Sequence, residues 1–337
     1  MLEIILAAAV VVAINVYVLL GGADYGGGVW DMFAFGPRAK PQRDLIAKAI
    51  APVWEANHVW LIVVIVILFS CFPAAFSLIS ITLHIPLLCL LLGIVFRGAA
   101  FIFRAYDSQH SDTQRRWSVL FAITSMIAPV MLGICLGSVA SGRLSLIQGL
   151  PSVGYFQWFA PFPIAVGIFT LVLFAYLAAL YLAVEAPDDA LKSDFRQRAI
   201  LSALALGALA IIVFRLSSSG APRLFARLGS SSWALPLHLA AAFAALGALG
   251  ALVARRYVIA RMLGVAQATL TVWGWAFAQY PYMIDPQLTI SVAAAPKATL
   301  RLVLLALATG GAILFPSLYY LFSVFKGKKA FAIVDES

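Results

Sequence analysis

Five side chains put titratable or hydrogen-bonding chemistry inside apolar sequence: Asp24, Glu55, Asn57, His58 and Arg97. Three of them share the stretch Ile50-Ala-Pro-Val-Trp-Glu-Ala-Asn-His-Val-Trp-Leu-Ile62, after which Leu61 to Phe69 carries no charge. An ionisable group is costly in hydrocarbon, so it faces protein or water and marks a functional path. A buried carboxyl group whose proton affinity is tuned by its surroundings exchanges protons near neutral pH. Glu55 is the first candidate for that role. His58 follows it by three residues, close enough on a helix for a Glu–His proton relay. A lone histidine is also a haem ligand, and His84 is a second candidate there; the commoner role for both is a hydrogen-bonded structural one.

Gly21-Gly-Ala-Asp-Tyr-Gly-Gly-Gly28 places five glycines around Asp24. Small residues in a membrane helix let a neighbouring backbone come very close. A phosphate-binding loop is excluded, because no strand precedes the glycines and no Lys-Ser/Thr follows. Asp24 and Asp31 are seven residues apart and share a helix face, as do Arg97 and Arg104. Arg104 is placed to snorkel to water, whereas Arg97 is deeper and calls for a carboxylate, Asp24 or Glu55. For Asp24 two readings stand side by side: tight packing with neutralisation by Arg97, or a direct part in proton movement.

These groups must be carried by membrane helices. Hydrophobic residues make up 63% of the 337 and charged residues only 11%, with mean hydropathy +0.99; a soluble domain has about 25% charged residues. The net charge of +9 is no nucleic-acid footprint, since Lys and Arg sit in short loops between apolar runs. Cys71, Cys89 and Cys135 lie in apolar segments without Cys-x-x-Cys spacing, and read as small hydrophobes with no metal site or disulfide. The first apolar run lacks the basic start and short core of a cleaved signal peptide.

Apolar runs fall at 4–35, 46–69, 75–103, 117–142, 158–185, 198–219, 233–254, 257–284 and 297–325, which predicts nine transmembrane helices at roughly 20 residues each. Sixteen of the 23 Lys and Arg residues lie in alternate connections, so the N-terminus is expected outside and the C-terminus in the cytoplasm. That sets Asp24, Asp31, Glu55, His58 and Arg97 in the cytoplasmic half of the first three helices. Glu55 would lie about nine residues into its helix, roughly 13 Å at ~1.5 Å per residue. Pro187-Asp-Asp-Ala at the midpoint divides the chain into four helices, four helices and a last one, with units at 1–145, 146–290 and 291–337. Tyr280 and Tyr282 in Gln279-Tyr-Pro-Tyr-Met-Ile-Asp-Pro286 fit an interfacial aromatic belt.

Taken together, Val18-Leu-Leu-Gly-Gly-Ala-Asp-Tyr-Gly-Gly-Gly, the Glu55 stretch, Phe96-Arg97 leading to Phe103-Arg104, and Tyr280-Pro-Tyr followed by Leu288-Thr-Ile resemble subunit II of the cytochrome bd family of terminal oxidases. That family reads Asp-Gly-Phe-Asp-x-Gly and Trp-Asp-Gly-Asn at the first two places. Asp24 and Glu55 match the second Asp of one and the Asp of the other, and Trp54, Asn57, Trp60 and Arg97 match too. Gly21 replaces an Asp, Ala56 a Gly, and His58 stands where Gln or Glu is common, which marks a divergent branch. The resemblance implies an all-α, polytopic bacterial inner-membrane protein with two four-helix bundles plus one peripheral helix. It would lack haem, and pair with a haem-bearing subunit I of similar fold that carries b- and d-type haems and the quinol site. Membrane lipid, a structural quinone and a small accessory subunit are further partners the family admits. Glu55 would belong to a cytoplasmic proton path with Asp24 and His58, while Arg97, Asn57, Trp54 and Trp60 shape the site. Two rival readings are a secondary transporter or proton channel coupled through Asp24, Glu55 and Arg97, and a purely structural scaffold. No second copy of either acidic motif appears in the later runs, which counts against a transporter built from inverted repeats.

Overall fold

The computed structural model describes residues 1–50, 54–106, 111–144, 146–147, 150–151 and 156–326, and every side chain among them except those of residues 54, 55, 105, 106, 111, 112, 146, 147, 150, 151, 322, 325 and 326. The chain runs α1 (Leu2–Met32), α2 (Ala39–Ile50), α3 (Trp54–Cys71), α4 (Pro73–Thr82), α5 (His84–Tyr106) and α6 (Ser111–Ala140). A short antiparallel pair follows, β1 (Leu146–Ile147) with β2 (Leu150–Pro151), then α7 (Pro161–Glu185), α8 (Asp189–Gly220), α9 (Pro222–Ser230), α10 (Ala234–Val253) and α11 (Tyr257–Gln279). A second antiparallel pair, β3 (Tyr282–Ile284) with β4 (Leu288–Thr289), leads through α12 (Ile290–Ala293) to α13 (Lys297–Lys326).

Seven helices among the described residues are long and apolar enough to cross a membrane: α1, α5, α6, α7, α8, α10 and α13. They become eight if the bent pair α3–α4 is one span. Of the nine expected, α11 is long enough at 23 residues, but Arg261, Gln267, Thr269, Thr271 and Gln279 dilute its hydropathy.

Two expected runs each cover parts of two helices. The run 46–69 covers the end of α2 and most of α3, with residues 51–53 outside the described residues; the buried face of α2 is Gln42, Ile46 and Ile50. Glu55 is the second residue of α3, and its side chain lies outside the described residues. The run 75–103 breaks between α4 and α5, and α3 and α4 meet at 117°. Proline has no N–H for the helical ladder and disfavours helix in the residue before it. Phe72 accordingly leaves helical geometry at φ −135°, ψ 56°, and Pro73 opens α4.

The centre of the molecule is α1, which packs against α7, α3, α6 and α11. Its three consecutive glycines each meet a different neighbour. A Cβ on Gly26 would strike the carbonyl of Phe174 in α7, one on Gly27 would come within 2.7 Å of Ile50 Cδ1 in α2, and one on Gly28 would strike Ser125 in α6. The motif is thus a three-way contact that no larger residue permits.

At its C-terminal end, α1 is closed by arginines from two other elements. Arg43 of α2 donates to the carbonyls of Asp31 (3.5 Å) and Ala34 (3.2 Å), and Arg198 of α8 donates to that of Phe33 at 2.9 Å. These are carbonyls a helix end leaves unsatisfied, and cations are favoured beside them. Arg38 grips Asp194 through two bonds of 2.7 and 2.8 Å, and Gln42 donates to the same carboxylate at 2.7 Å. The carboxylate holds the Arg38 guanidinium above its already high pKa. The end of α1, α2 and the start of α8 therefore share one side of the molecule, as the loop charges require.

Candidate functional site

The polar residues of the first helices gather where α1, α3, α5 and α6 meet. Asp24 is 6% exposed, and Asn57, one turn into α3, is 2% exposed. The Asn57 side-chain amide donates to the Asp24 carboxylate. A buried carboxylate needs such donors, because leaving it without hydrogen bonds costs several kcal/mol. Asp24 and Asn57 line a cavity of about 70 Å³ between α1, α2, α3 and α7, with Tyr181 and Glu185 on the α7 wall.

Arg97 reaches the same region from α5 and is 2% exposed. It donates from Nε to Ser125 Oγ at 3.2 Å, and its guanidinium lies 4.8 Å from the ring centre of Tyr25 and 5.2 Å from that of Phe121. A planar, weakly hydrated guanidinium suits aromatic faces. The Tyr25 hydroxyl is 3.1 Å from that of Tyr17, two turns earlier on α1. His58 sits against both phenols, its ring centre 6.0 Å from that of Tyr17 and 6.2 Å from that of Tyr25. Asp24, Asn57, Arg97 and His58 are thus brought together, with Tyr17, Tyr25 and Ser125 as members that sequence reasoning left unassigned. Tyr25 stood inside the glycine motif beside Asp24 and was open to notice; Tyr17 and Ser125 carry no signal beyond helical spacing.

Arg104 does not snorkel. It donates to the Asp31 carboxylate at 2.9 Å and lies 5.7 Å from the Phe121 ring centre. Asp31 is 2% exposed, so this cation answers a buried anion about two turns along both α5 and α1 from the Asp24 cluster. Trp60 points elsewhere, its ring 6.2 Å from that of Phe315 in α13. The side chains of Glu55 and Trp54 lie outside the described residues.

The His58 ring packs against the two tyrosines. His84 stands at the exposed start of α5 with Nδ1 at 2.8 Å from the Ile81 carbonyl oxygen. Among the described residues, no three His, Cys, Asp or Glu side chains cluster as a metal site. What the arrangement offers is a buried, hydrogen-bonded carboxylate facing a small void, with an arginine and two phenols in the same cluster.

Comparison with known proteins agrees with this frame. The chain is 21% identical over 337 residues to a Bacillus subtilis protein assigned as a cytochrome bd menaquinol oxidase subunit II, covering 95% of this chain and 94% of that one. It is 24% identical over 177 residues to subunit 2 of the Escherichia coli K12 cytochrome bd-I ubiquinol oxidase, 49% of this chain and 44% of that protein. In fold it is similar to a chain of the bd oxidase from Geobacillus thermodenitrificans, with a TM-score of 0.79, 21% identity, and coverage of 96% and 98%. The model of the family cytochrome bd terminal oxidase subunit II matches residues 2–325. This leaves no place for the transporter reading: the chain belongs to the subunit II family of the cytochrome bd terminal oxidases, membrane proteins of respiratory electron transport.

Proposed function

We propose that this chain is the haem-free subunit of a quinol-oxidising bd oxidase and carries protons from the cytoplasm toward the oxygen site of a haem-bearing partner. The single observation behind the reading is Asp24, a buried carboxylate that Asn57 holds and that faces a cavity bordered by α2 and α7. The b- and d-type haems of the partner supply electron transfer and the reduction of dioxygen to water. This chain's residues hold and move protons: Glu55 and Asp24 bind them, His58 and the Tyr17–Tyr25 pair border the route, and Arg97 keeps a positive charge beside it. Asn57 orients Asp24, and Trp54 and Trp60 shape the surrounding helix. The helices amount to nine spans when α11 and the bent α3–α4 pair are counted with the seven apolar helices. They would form two four-helix bundles plus α13, in units 1–145, 146–290 and 291–337, with the N-terminus outside and the C-terminus in the cytoplasm.

The rival is a scaffold in which the cluster only holds helices together. Oxygen consumption by the purified two-subunit complex separates the two. The proton-path reading expects Asp24→Asn and Glu55→Gln to lower turnover by about 100-fold, the lower range for loss of a proton-transfer group, with haem content intact. Full turnover in both variants leaves the scaffold.

A further inference from the structure

The cavity that Asp24 faces has a second carboxylate on its wall. Glu185 is the last residue of α7 and lines the same void as Asp24 and Asn57. Asp24 is buried and Glu185 is partly exposed, so the void has a wet end and a dry end. The chain reverses directly after Glu185: Ala186 ends α7, and Asp188 starts α8 by accepting from the Leu191 N–H at 2.8 Å. That reversal joins the end of apolar α7 to the polar first turns of α8, the setting of a membrane surface. One turn before Glu185, the Tyr181 hydroxyl donates to the Leu19 carbonyl at 3.1 Å, which pins α7 to α1 beside the cavity.

Helix stability does not account for Glu185. The carbonyl end of a helix favours cations, so a carboxylate in the last turn gains nothing from the dipole. Nor is the void an apolar packing defect. Apolar cavities stay dry, whereas one of about 70 Å³ with carboxylate, amide and phenol groups on its wall has both the room and the partners for a few waters.

We infer that Glu185 is the outer carboxylate of this cavity, collecting protons at the membrane surface and handing them through cavity water to Asp24. The inference rests on the proposed proton path through Asp24. A proton leaving the Glu185 carboxyl for a cavity water is replaced from bulk water. As the chain of waters delivers one proton to Asp24, another leaves Asp24, so the charge of the cavity is restored after each passage. The charged and titratable groups on the surrounding elements include Asp24, Tyr25 and Asp31 on α1, Arg43, Asp44 and Lys48 on α2, Glu55 and His58 on α3, Tyr176 and Tyr181 on α7, Asp188, Asp189 and Lys192 at the start of α8, and Arg261 on α11.

The test uses the intact two-subunit oxidase carrying Glu185→Gln, Glu185→Asp or Asp24→Asn, with oxygen consumption followed from about pH 6 to about pH 9, across which bulk protons thin out while the carboxylate class stays ionised in water. Glu185→Gln is expected to lose about tenfold in turnover at the alkaline end and little at the acid end, a modest share of what a proton-transfer group contributes, with haem content unchanged. Glu185→Asp keeps the carboxylate and most of the alkaline turnover. A Glu185→Gln complex that matches wild type at every pH while Asp24→Asn is slow overturns the role of Glu185 and leaves the Asp24 path standing. If Asp24→Asn matches wild type as well, the path and the inference fall together. Should Glu185→Gln not assemble, Ala49→Leu, which fills the void from α2 without altering either carboxylate, must show the same alkaline loss; wild-type behaviour there overturns the inference.

Discussion

Asp24 and Asn57 show how a pair of side chains fixes the chemistry of a membrane site. The amide of Asn57 is spent on the Asp24 carboxylate, and both lie out of water. Replacing Asn57 by Leu removes a donor from a buried anion, which costs about 1–3 kcal/mol or more for a charged group. The thermal midpoint of the Asn57→Leu complex should fall accordingly, and a midpoint equal to wild type would mean that Asp24 finds its donors elsewhere. The Arg104–Asp31 pair makes a second residue-scale case. Arg104→Met strands the Asp31 carboxylate, at a cost of about 3–5 kcal/mol for breaking a buried pair. Arg104→Met combined with Asp31→Leu should recover most of that loss in a double-mutant thermal series; no recovery would assign the cost to packing of Arg104 on Phe121.

Among the elements, the glycine motif of α1 carries the clearest prediction. Gly26 touches the α7 backbone, whereas Gly207 on α8 has nothing within 4 Å of a Cβ built on it. Gly26→Ala should lower complex stability by about 1–3 kcal/mol as overpacking does. Gly207→Ala should be neutral or raise it by about 0.5–1 kcal/mol through helix propensity. Equal effects in a thermal melt would refute the three-way contact. Much of this was legible in the sequence: five glycines around one aspartate announce close helix contact, and Arg97 announces a buried cation that calls for a partner. Which neighbour each group meets was not. Arg104 looked free to reach water because its partner Asp31 lies 73 positions away, and the choice of partner belongs to tertiary packing. The bend at Phe72 was signalled by Pro73, yet two apolar pieces on either side of it read as separate full spans.

For the whole molecule, apolar composition and loop charge pointed to an all-helical membrane protein, and the similarity across 95% of the chain to a bd-type subunit agrees. The outer helices keep large hydrophobic side chains uncovered: Phe243 and Leu246 on α10, Ile211 on α8 and Leu305 on α13 are all exposed. Those faces meet lipid or the partner subunit. Phe243→Arg puts a charge on that face at an insertion cost of about 2.5–3.5 kcal/mol, so the variant should be depleted from the membrane fraction relative to wild type; undiminished membrane content would show that α10 does not lie in the membrane. Glu55 marks the boundary of what the sequence carries: its type and setting make it a candidate proton carrier, and its side chain lies outside the described residues.

The central claim is that protons reach the oxygen site through Asp24 of this chain. Its most direct test is the rate of proton uptake, followed with a pH-indicator dye, when the reduced Asp24→Asn complex meets a pulse of oxygen. The account predicts uptake slowed about tenfold or more, within the range for losing a proton-transfer group, while oxygen still binds the haem at the wild-type rate. Proton uptake as fast as in the wild-type complex would contradict it.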